Sequence, residues 1–514
     1  MNKPLKELLS GFEFRIPDDH YSADNTYGGN VPDMDIFDVV SDGRKIHKGC
    51  LFICCRDTNY NGPEYIKTAV GAGASVIVTE ERLAGLSEDG QGPLYVYVQD
   101  ARYAMAFIYA AWYDHPADKL TVIGITGTKG KTTTAYMLRD ILQAAGHRTG
   151  LIGTVEYIIG DEHIDALNTT PESDILQDVL YRMVKAGLDI VVMEVSSTAL
   201  MSHRSQGFVF DTGIFTNIGY DHIGGDECRD FDHYLYCKSL LFRQCRTGIV
   251  NADDPNIGGI LEGHTCNIKT FGLSTAADLK AAGISYEYIH GVPGVSFDIE
   301  GYPQLHISVP MPGEYTVRNA LGAVSAALDL GVSAEAIVQA LAKIHVPGRT
   351  QIIRNEDDAS GSLPDVIVDF AHNPMSMEAL IKALRLYYKK RIICVFGCGG
   401  DLYKGKRALM GKTSTELADF TVITSDNPRF EDPEQIVKDI VRGISDDCSN
   451  YIVIPDRRDA VYYAVSMGGP GDVVALIGKG HEKYQDIHGV KYPWDDARLA
   501  VEALRDMNSK RPGD

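Results

Sequence analysis

Short β-branched or apolar runs ending in glycine or polar residues recur along this chain, and helical spacing follows most of them. Residues 49–55 (GCLFICC) predict a buried strand, 64–74 a helix, 75–80 and 94–99 two strands, and 101–113 an apolar helix. That module, closed by 115–119, is too short and loop-rich for a full doubly wound domain. Between 118 and 346 the strands end in polar residues: 189–197, 212–219 and 247–254. In open parallel sheets, ligand groups collect just outside such strand ends. After 271 the pattern turns to short alternating segments such as 284–289 and 305–311, which predict an antiparallel flap, followed by helices over 315–330 and 331–344. Pro347 and Gly348 mark a linker. Beyond it, runs at 365–371, 391–400, 419–427, 450–456 and 472–480 alternate with helices, as in a Rossmann-like sheet. The expected fold is α/β in three domains, 1–117, 118–346 and 347–514, with a central parallel sheet.

The most informative stretch is 120–134, LTVIGITGTKGKTTT. The run 120–123 predicts a buried strand, 124–130 a turn, and Lys131 opens a helix. Ile125 stands where the strict phosphate-loop pattern has glycine, so the fit is the shorter GxxGKT from Gly127 to Thr132. Loop N–H groups there close around phosphate, helped by the helix N-terminus. Lys131 would reach the β and γ phosphates, and Thr132 would hold magnesium. A glycine-rich turn that binds nothing is the competing reading, against which Gly-Lys-Thr-Thr directly after a strand argues.

Length changes the picture only by requiring several domains: 514 residues exceed one ordinary core. The formal net charge of −21 argues against a nucleic-acid or anionic-membrane partner. No run approaches 18 apolar residues and the N-terminus has no signal-peptide core, so the expectation is a cytoplasmic protein without membrane insertion. Ten cysteines carry no paired CxxC framework and read as cytosolic thiols rather than disulfides or a zinc site.

Candidate chemistry sits at strand ends. Glu194 is either a cap for the next helix or a magnesium ligand beside the phosphate loop. His222 shares that rim and is either structural or a ligand. Lys238, in a predicted helix, is a solvated lysine, a phosphate-binding lysine or a carbamylated metal bridge. Asn251, Asp253 and Asp254 fit a turn or a nucleotide contact. Asp369 and His372 end the strand of VDFAHNP, Arg429 ends SDNPR, and Glu482 follows a second glycine-lysine loop. An arginine and a glutamate at one cleft suit a zwitterion, one taking carboxylate and the other ammonium. An ordinary ion pair is the alternative.

In order, TGTKGKTT, NTTP (168–171), MEVSS (193–197), TNIGYDH (216–222), YLYCKSLLF (234–242), NADD (251–254), VPGR (346–349), VDFAHNP, VFGCGGD, SDNPR and GKGHEKYQ together resemble the Mur ligase family, in particular the branch adding the third peptide residue. SDGRK (41–45) and LFICC resemble its N-terminal uridine-nucleotide-binding domain. The resemblance implies ATP- and Mg2+-dependent joining of meso-diaminopimelate to UDP-N-acetylmuramoyl-L-alanyl-D-glutamate through an acyl phosphate, for peptidoglycan precursors, by a monomer. It implies ATP contacts at Gly127, Thr128, Lys129, Gly130, Lys131, Thr132, Thr133, Asn319 and Arg349. Thr132, Glu194, His222 and carbamylated Lys238 would hold metal. Asp42, Arg44, Thr169, Thr170, Ser196 and Arg204 would take the muramoyl-dipeptide. Asn427, Arg429, Gly478 and Glu482 would select diaminopimelate, with Lys131, Lys238, Asp369 and His372 catalytic. Arg429 matters most for selection, because diaminopimelate has a distal carboxylate that lysine lacks.

Gly43, Thr198, Ser202 and Leu402-Tyr403 depart from the family pattern. They leave open a related ligase using lysine, another amino acid or a modified acceptor. Folylpolyglutamate synthetase lacks the SDxR and DNPR elements, and a non-catalytic scaffold would not need Glu194, His222, Lys238 and His372 together.

Overall fold

The computed structural model describes residues 2–16, 30–56, 62–80, 92–220, 228–274, 277–354 and 361–510. Three separate sheets organise them. In the first, Leu94–Val98, Val76–Thr79, Leu51–Ile53 and Val39–Val40 run parallel, with Phe14–Arg15 antiparallel at one edge. Asp100 caps the helix Ala101–Trp112 by accepting from Tyr103 N at 2.8 Å, and that helix buries Met105, Ile108 and Trp112 against the sheet.

The central sheet has eleven strands. Its core is parallel: Thr149–Ile152, Ile190–Glu194, Thr121–Thr126, Phe210–Phe215, Cys245–Asn251 and Asn267–Gly272. Ile190–Glu194 and Thr121–Thr126, in the middle of this core, are buried almost throughout, as strands covered on both faces are. The strand of the phosphate loop extends three residues beyond the expected run, to Thr126. Gly124 is therefore strand rather than turn: a Cβ there would stand 2.8 Å from the Phe210 ring, so the glycine lets that ring pack onto the sheet. The expected antiparallel flap extends the central sheet. Leu279–Ile289 pairs with the end of Asn267–Gly272, and Val292–Ile299 and Tyr302–Val309 carry the same sheet onward antiparallel.

In the third sheet Asp365–Asp369, Val473–Ile477, Ile392–Phe396, Phe420–Ile423 and Tyr451–Val453 are parallel, with Gln351–Ile353 antiparallel at the edge. Buried Arg457 and Asp496 form a bidentate pair (2.6 and 3.0 Å) behind it. Gly348 makes the crossing from the central sheet possible. It has φ +64°, and a Cβ there would lie 2.0 Å from His481 N. Tyr387 Oη donates to Gly294 O (2.6 Å) and Arg354 Nη1 to Gly291 O (2.7 Å), so the central hairpin is bonded to the third module. On the other side Glu172 pairs with Arg102 (2.9 Å) of the first module and with Arg204 (2.7 Å). No helix among the described residues is long and apolar enough to cross a membrane.

Candidate active site between the central and C-terminal sheets

The phosphate loop leaves Thr126 and ends at Gly130 (φ +86°), which caps the helix Lys131–Ala144. Its shape is fixed from outside. Asn217 Oδ1 accepts from Lys129 N (3.0 Å), Asn217 O accepts from Thr128 N (2.8 Å), and Thr216 Oγ1 donates to Lys129 O (2.6 Å). Segment 216–219 is thus a brace for the loop. A Cβ on Gly127 would stand 1.9 Å from Thr216 Oγ1, and one on Gly130 2.2 Å from Asn319 Oδ1. Only glycine keeps this cradle open. Two cations converge on it: Lys131 Nζ donates to Gly127 O (2.9 Å) and Thr128 O (3.3 Å), and Lys238 Nζ donates to Gly127 O (2.9 Å). A positive, amide-lined hollow at a helix N-terminus fits a polyphosphate.

Glu194 lies on the adjacent parallel strand and is 1% exposed. It accepts from Thr132 Oγ1 (3.0 Å), Thr154 Oγ1 (2.9 Å) and Thr154 N (2.8 Å). It does not cap the following helix, since Ser196 does so by accepting from Ala199 N at 3.1 Å. A carboxylate among hydroxyls is a hard-oxygen donor set that suits Mg2+. The solvated reading of Lys238 fails: it is 1% exposed, with Nζ 4.4 Å from the Tyr234 ring centroid. His222 lies outside the described residues. Asn251, Asp253 and Asp254 belong to a structural turn. Asn251 Oδ1 accepts from Asp253 N (3.0 Å), Asp254 Oδ2 from Ile218 N (2.8 Å), and Asp253 pairs with Arg318 (3.2 Å).

A cavity of about 590 Å³ runs from this loop to the strand ends of the third sheet. Thr128, Lys129, Thr133 and Asn319 line one end, and Asp369, His372, Asn427, Arg429, Gly478 and Glu482 the other. Arg349 joins them, donating to Thr132 Oγ1 (3.3 Å) and His481 Nδ1 (3.2 Å) and lying over the Phe370 ring. Asp369 accepts from Thr350 N (2.7 Å) and Ala371 N (2.8 Å); burial raises its pKa, opposed by the nearby Arg349 charge. His372 Nδ1 contacts Phe370 O at 2.8 Å. A carbonyl only accepts, so Nδ1 carries a proton.

At the far end, Asn427 Nδ2 and Lys479 Nζ both donate to Glu482 Oε2 (2.9 and 3.2 Å). Burial, then the Asp426 charge, raises the Glu482 pKa. Arg429 adopts φ +52°, held by N–H donation to Asp486 O (3.0 Å) and by His488 N donating to its own carbonyl (2.8 Å). Its Nη1 donates to Gly400 O (3.1 Å), and no carboxylate among the described residues pairs with it.

A second cavity of about 260 Å³ adjoins the loop through Lys131 and is lined by Thr169, Thr170, Ser196, Thr198, Arg204 and Lys238. Thr170 Oγ1 donates to Glu194 O (2.8 Å) and accepts from Ser196 N (3.0 Å). Asp42 and Arg44 are not brought to it. They bond each other (2.8 and 2.9 Å), and the Arg44 side chain is 77% exposed. Of the departing residues, Thr198 lines this cavity and Leu402 the larger one, whereas Ser202 back-bonds to Thr198 O (2.7 Å).

Sequence reasoning missed Thr154, Lys479 and His481. Thr154 follows a strand too short to notice, and the roles of the other two arise from contacts with residues distant in sequence, Asn427 for Lys479 and Arg349 for His481. Burial, then the Arg349 charge, lowers the His481 pKa to about 3. The unfolded state therefore binds the extra proton between pH 6.5 and 3, so this group's stability contribution falls as pH drops through that window. His481→Asn should flatten the decline of Tm from pH 7 to pH 5 relative to the unsubstituted protein. Parallel slopes for the two proteins would contradict the assignment.

The model of the Mur ligase middle domain matches residues 125–327, and that of the Mur ligase glutamate ligase domain matches residues 348–480. A UDP-N-acetylmuramoyl-L-alanyl-D-glutamate--2,6-diaminopimelate ligase of Clostridium acetobutylicum is 39% identical over 92% of this chain and 96% of its own length. The enzyme of that name from Clostridioides difficile is also 39% identical, over 92% and 96%. A solved structure of such a ligase aligns with TM-score 0.65 and 27% identity, covering 93% of this chain and 97% of that one. Folylpolyglutamate synthase of Mycobacterium tuberculosis shares the fold alone (TM-score 0.60, 16% identity, 80% and 95% covered). Domain models and full-length relatives agree with the geometry of the phosphate loop and the two adjoining cavities: the chain belongs to the Mur ligase family.

Proposed function

We propose that this protein uses ATP to join diaminopimelate, as the meso isomer, to UDP-N-acetylmuramoyl-L-alanyl-D-glutamate in cytoplasmic peptidoglycan precursor synthesis. The observation that carries this reading is one cavity with the phosphate loop at one end and Arg429 with Glu482 at the other, joined at Lys131 to a second, hydroxyl-lined cavity. The chain acts as a monomer of three domains, divided after 117 and 346.

In this reading the acceptor's glutamyl carboxylate enters from the Thr169–Thr170–Ser196–Arg204 side. Its oxygen attacks the γ-phosphorus of ATP, and ADP leaves. Lys131, released from the Gly127 and Thr128 carbonyls, follows the charge onto the transferred group. Thr132 and Glu194, with His222 and a carbamylated Lys238, would hold Mg2+, which when bound neutralises phosphate charge. The diaminopimelate amine then attacks the acyl carbon, phosphate leaves, and the nitrogen gives up a proton. His372 Nε2 suits that proton better than Asp369, whose carboxylate is already committed to Thr350 and Ala371. Asp369 then positions Thr350 beside Arg349. Asp42 and Arg44 would meet the uridine end, remote from the chemistry.

Thr198 in the acceptor cavity favours one second reading, an altered acceptor. Phosphate release from ATP, measured with the dipeptide nucleotide and either meso-diaminopimelate or L-lysine, tests both. Turnover with diaminopimelate alone is expected. Equal turnover with lysine would remove the selective role of Arg429. No turnover with either would move the weight to the altered acceptor.

A further inference from the structure

We propose that Cys228, His233 and Cys237 form a Zn2+-class metal site behind the phosphate loop, separate from the magnesium ligands. These three are the one such group of potential ligands gathered among the described residues, and their ligand atoms lie within 4.8 Å of one another. The two sulfurs are 4.0 Å apart. Two thiolates ~2.3 Å from one tetrahedral ion stand about 3.8 Å apart, so binding needs only a small closure.

Local structure explains the gathering. Asp230 caps the helix Phe231–Ser239 by accepting from His233 N at 2.7 Å. That fixes residue 233 in the first turn, with Cys237 one turn on along the same face. Cys228 lies just before the cap and packs under the helix, buried like Cys237, while His233 is half-buried and gives solvent access. His233 Nδ1 accepts only a long 3.3 Å contact from Arg229 N, a weak competitor for a metal. Two thiolates and an imidazole prefer a borderline-soft ion to Mg2+, and their charge balances a divalent cation. The spacing C-x4-H-x3-C contains no paired CxxC, which is why the cysteines read as plain thiols from sequence.

An ion there would tie Cys228 to the helix whose Tyr234 bonds Thr128 Oγ1 (3.0 Å) and whose Lys238 reaches Gly127 O (2.9 Å). The test is titration of reduced, chelator-treated full-length protein with Co2+, then Zn2+. One equivalent of Co2+ should give thiolate-to-cobalt charge-transfer absorption that Zn2+ abolishes and excess Mg2+ does not. His233→Ala and Cys228→Ser should weaken binding by more than the about 10–100-fold typical of lost second-shell partners, while Cys245→Ser should not. Zn2+ should raise the Tm of the unsubstituted protein but not of His233→Ala, the partly exposed position least able to disturb folding. Absence of the charge-transfer band would overturn the proposal, and so would unchanged Co2+ affinity in both ligand variants.

Discussion

Lys131→Ala should lower kcat with the dipeptide nucleotide and diaminopimelate by about 10²–10³-fold, the cost of removing one preorganised donor from developing transition-state charge. Lys131 is the first residue of the helix after Gly130, and its ammonium folds back onto the Gly127 and Thr128 carbonyls. These are neutral acceptors, so a phosphoryl group outbids them when it arrives. The loop keeps other supports without this ammonium: Lys238 donates to Gly127 O, and Asn217 and Thr216 brace the loop. Tm should therefore move by only a few degrees while turnover collapses. Steady-state kinetics separate the possible roles: transition-state charge appears in kcat, ground-state binding in the KM for ATP. A raised KM with unchanged kcat would reduce Lys131 to a binding residue.

Much of the architecture was readable because buried parallel strands are written as uninterrupted apolar runs. Ile190–Glu194, Ile392–Phe396 and Val473–Ile477 are buried at every position, and their runs stand out. Edge strands carry no such signal. Glu162–Asp165 is mostly exposed and Val490–Pro493 wholly so, and neither shows an apolar run or a clean alternation. The antiparallel pairing after 271 was visible in its alternation, whereas the two residue pairs joining Phe271 and Gly272 to Leu279 and Lys280, which make it part of the central sheet, were not. Gly124 misled for a simpler reason. Glycine reads as a turn unless one knows that an aromatic ring must lie against it.

The candidate site was legible where function sits at strand ends in sequence motifs, and illegible where it depends on contacts between sheets. Glu194, Arg349 and Asp369 fell in recognisable strings, yet the Arg349–Thr132 contact follows from how the central and third sheets meet, and the Thr154–Glu194 contact from which strands are neighbours. Lys479 shows the limit well. It belongs to a motif read for Gly478 and Glu482, but its ammonium is what occupies one Glu482 oxygen, so only the other is left for a ligand's amine among the described residues.

Arg429→Ala should cost diaminopimelate turnover about 10²–10³-fold in kcat/KM and leave lysine turnover nearly unchanged, since losing one partner of a desolvated charge pair costs 2–5 kcal/mol or more. Three features support so large an effect. The guanidinium lines the larger cavity and has a backbone carbonyl, not a carboxylate, as its partner among the described residues. Its backbone is held at φ +52° between Asp486 and His488, so the strands Tyr484–Ile487 and Val490–Pro493 aim it. A left-handed backbone at a non-glycine residue is strained, and such strain persists where the surroundings over-determine it. Arg429→Lys should not restore selectivity, because a single ammonium cannot reproduce a bidentate fork on carboxylate. The decisive readout is the ratio of kcat/KM for meso-diaminopimelate over L-lysine. It should fall by the same factor in both variants. A ratio unchanged in Arg429→Ala would place the recognition of the distal carboxylate elsewhere, with the cavity-lining Lys406 the next cation to test.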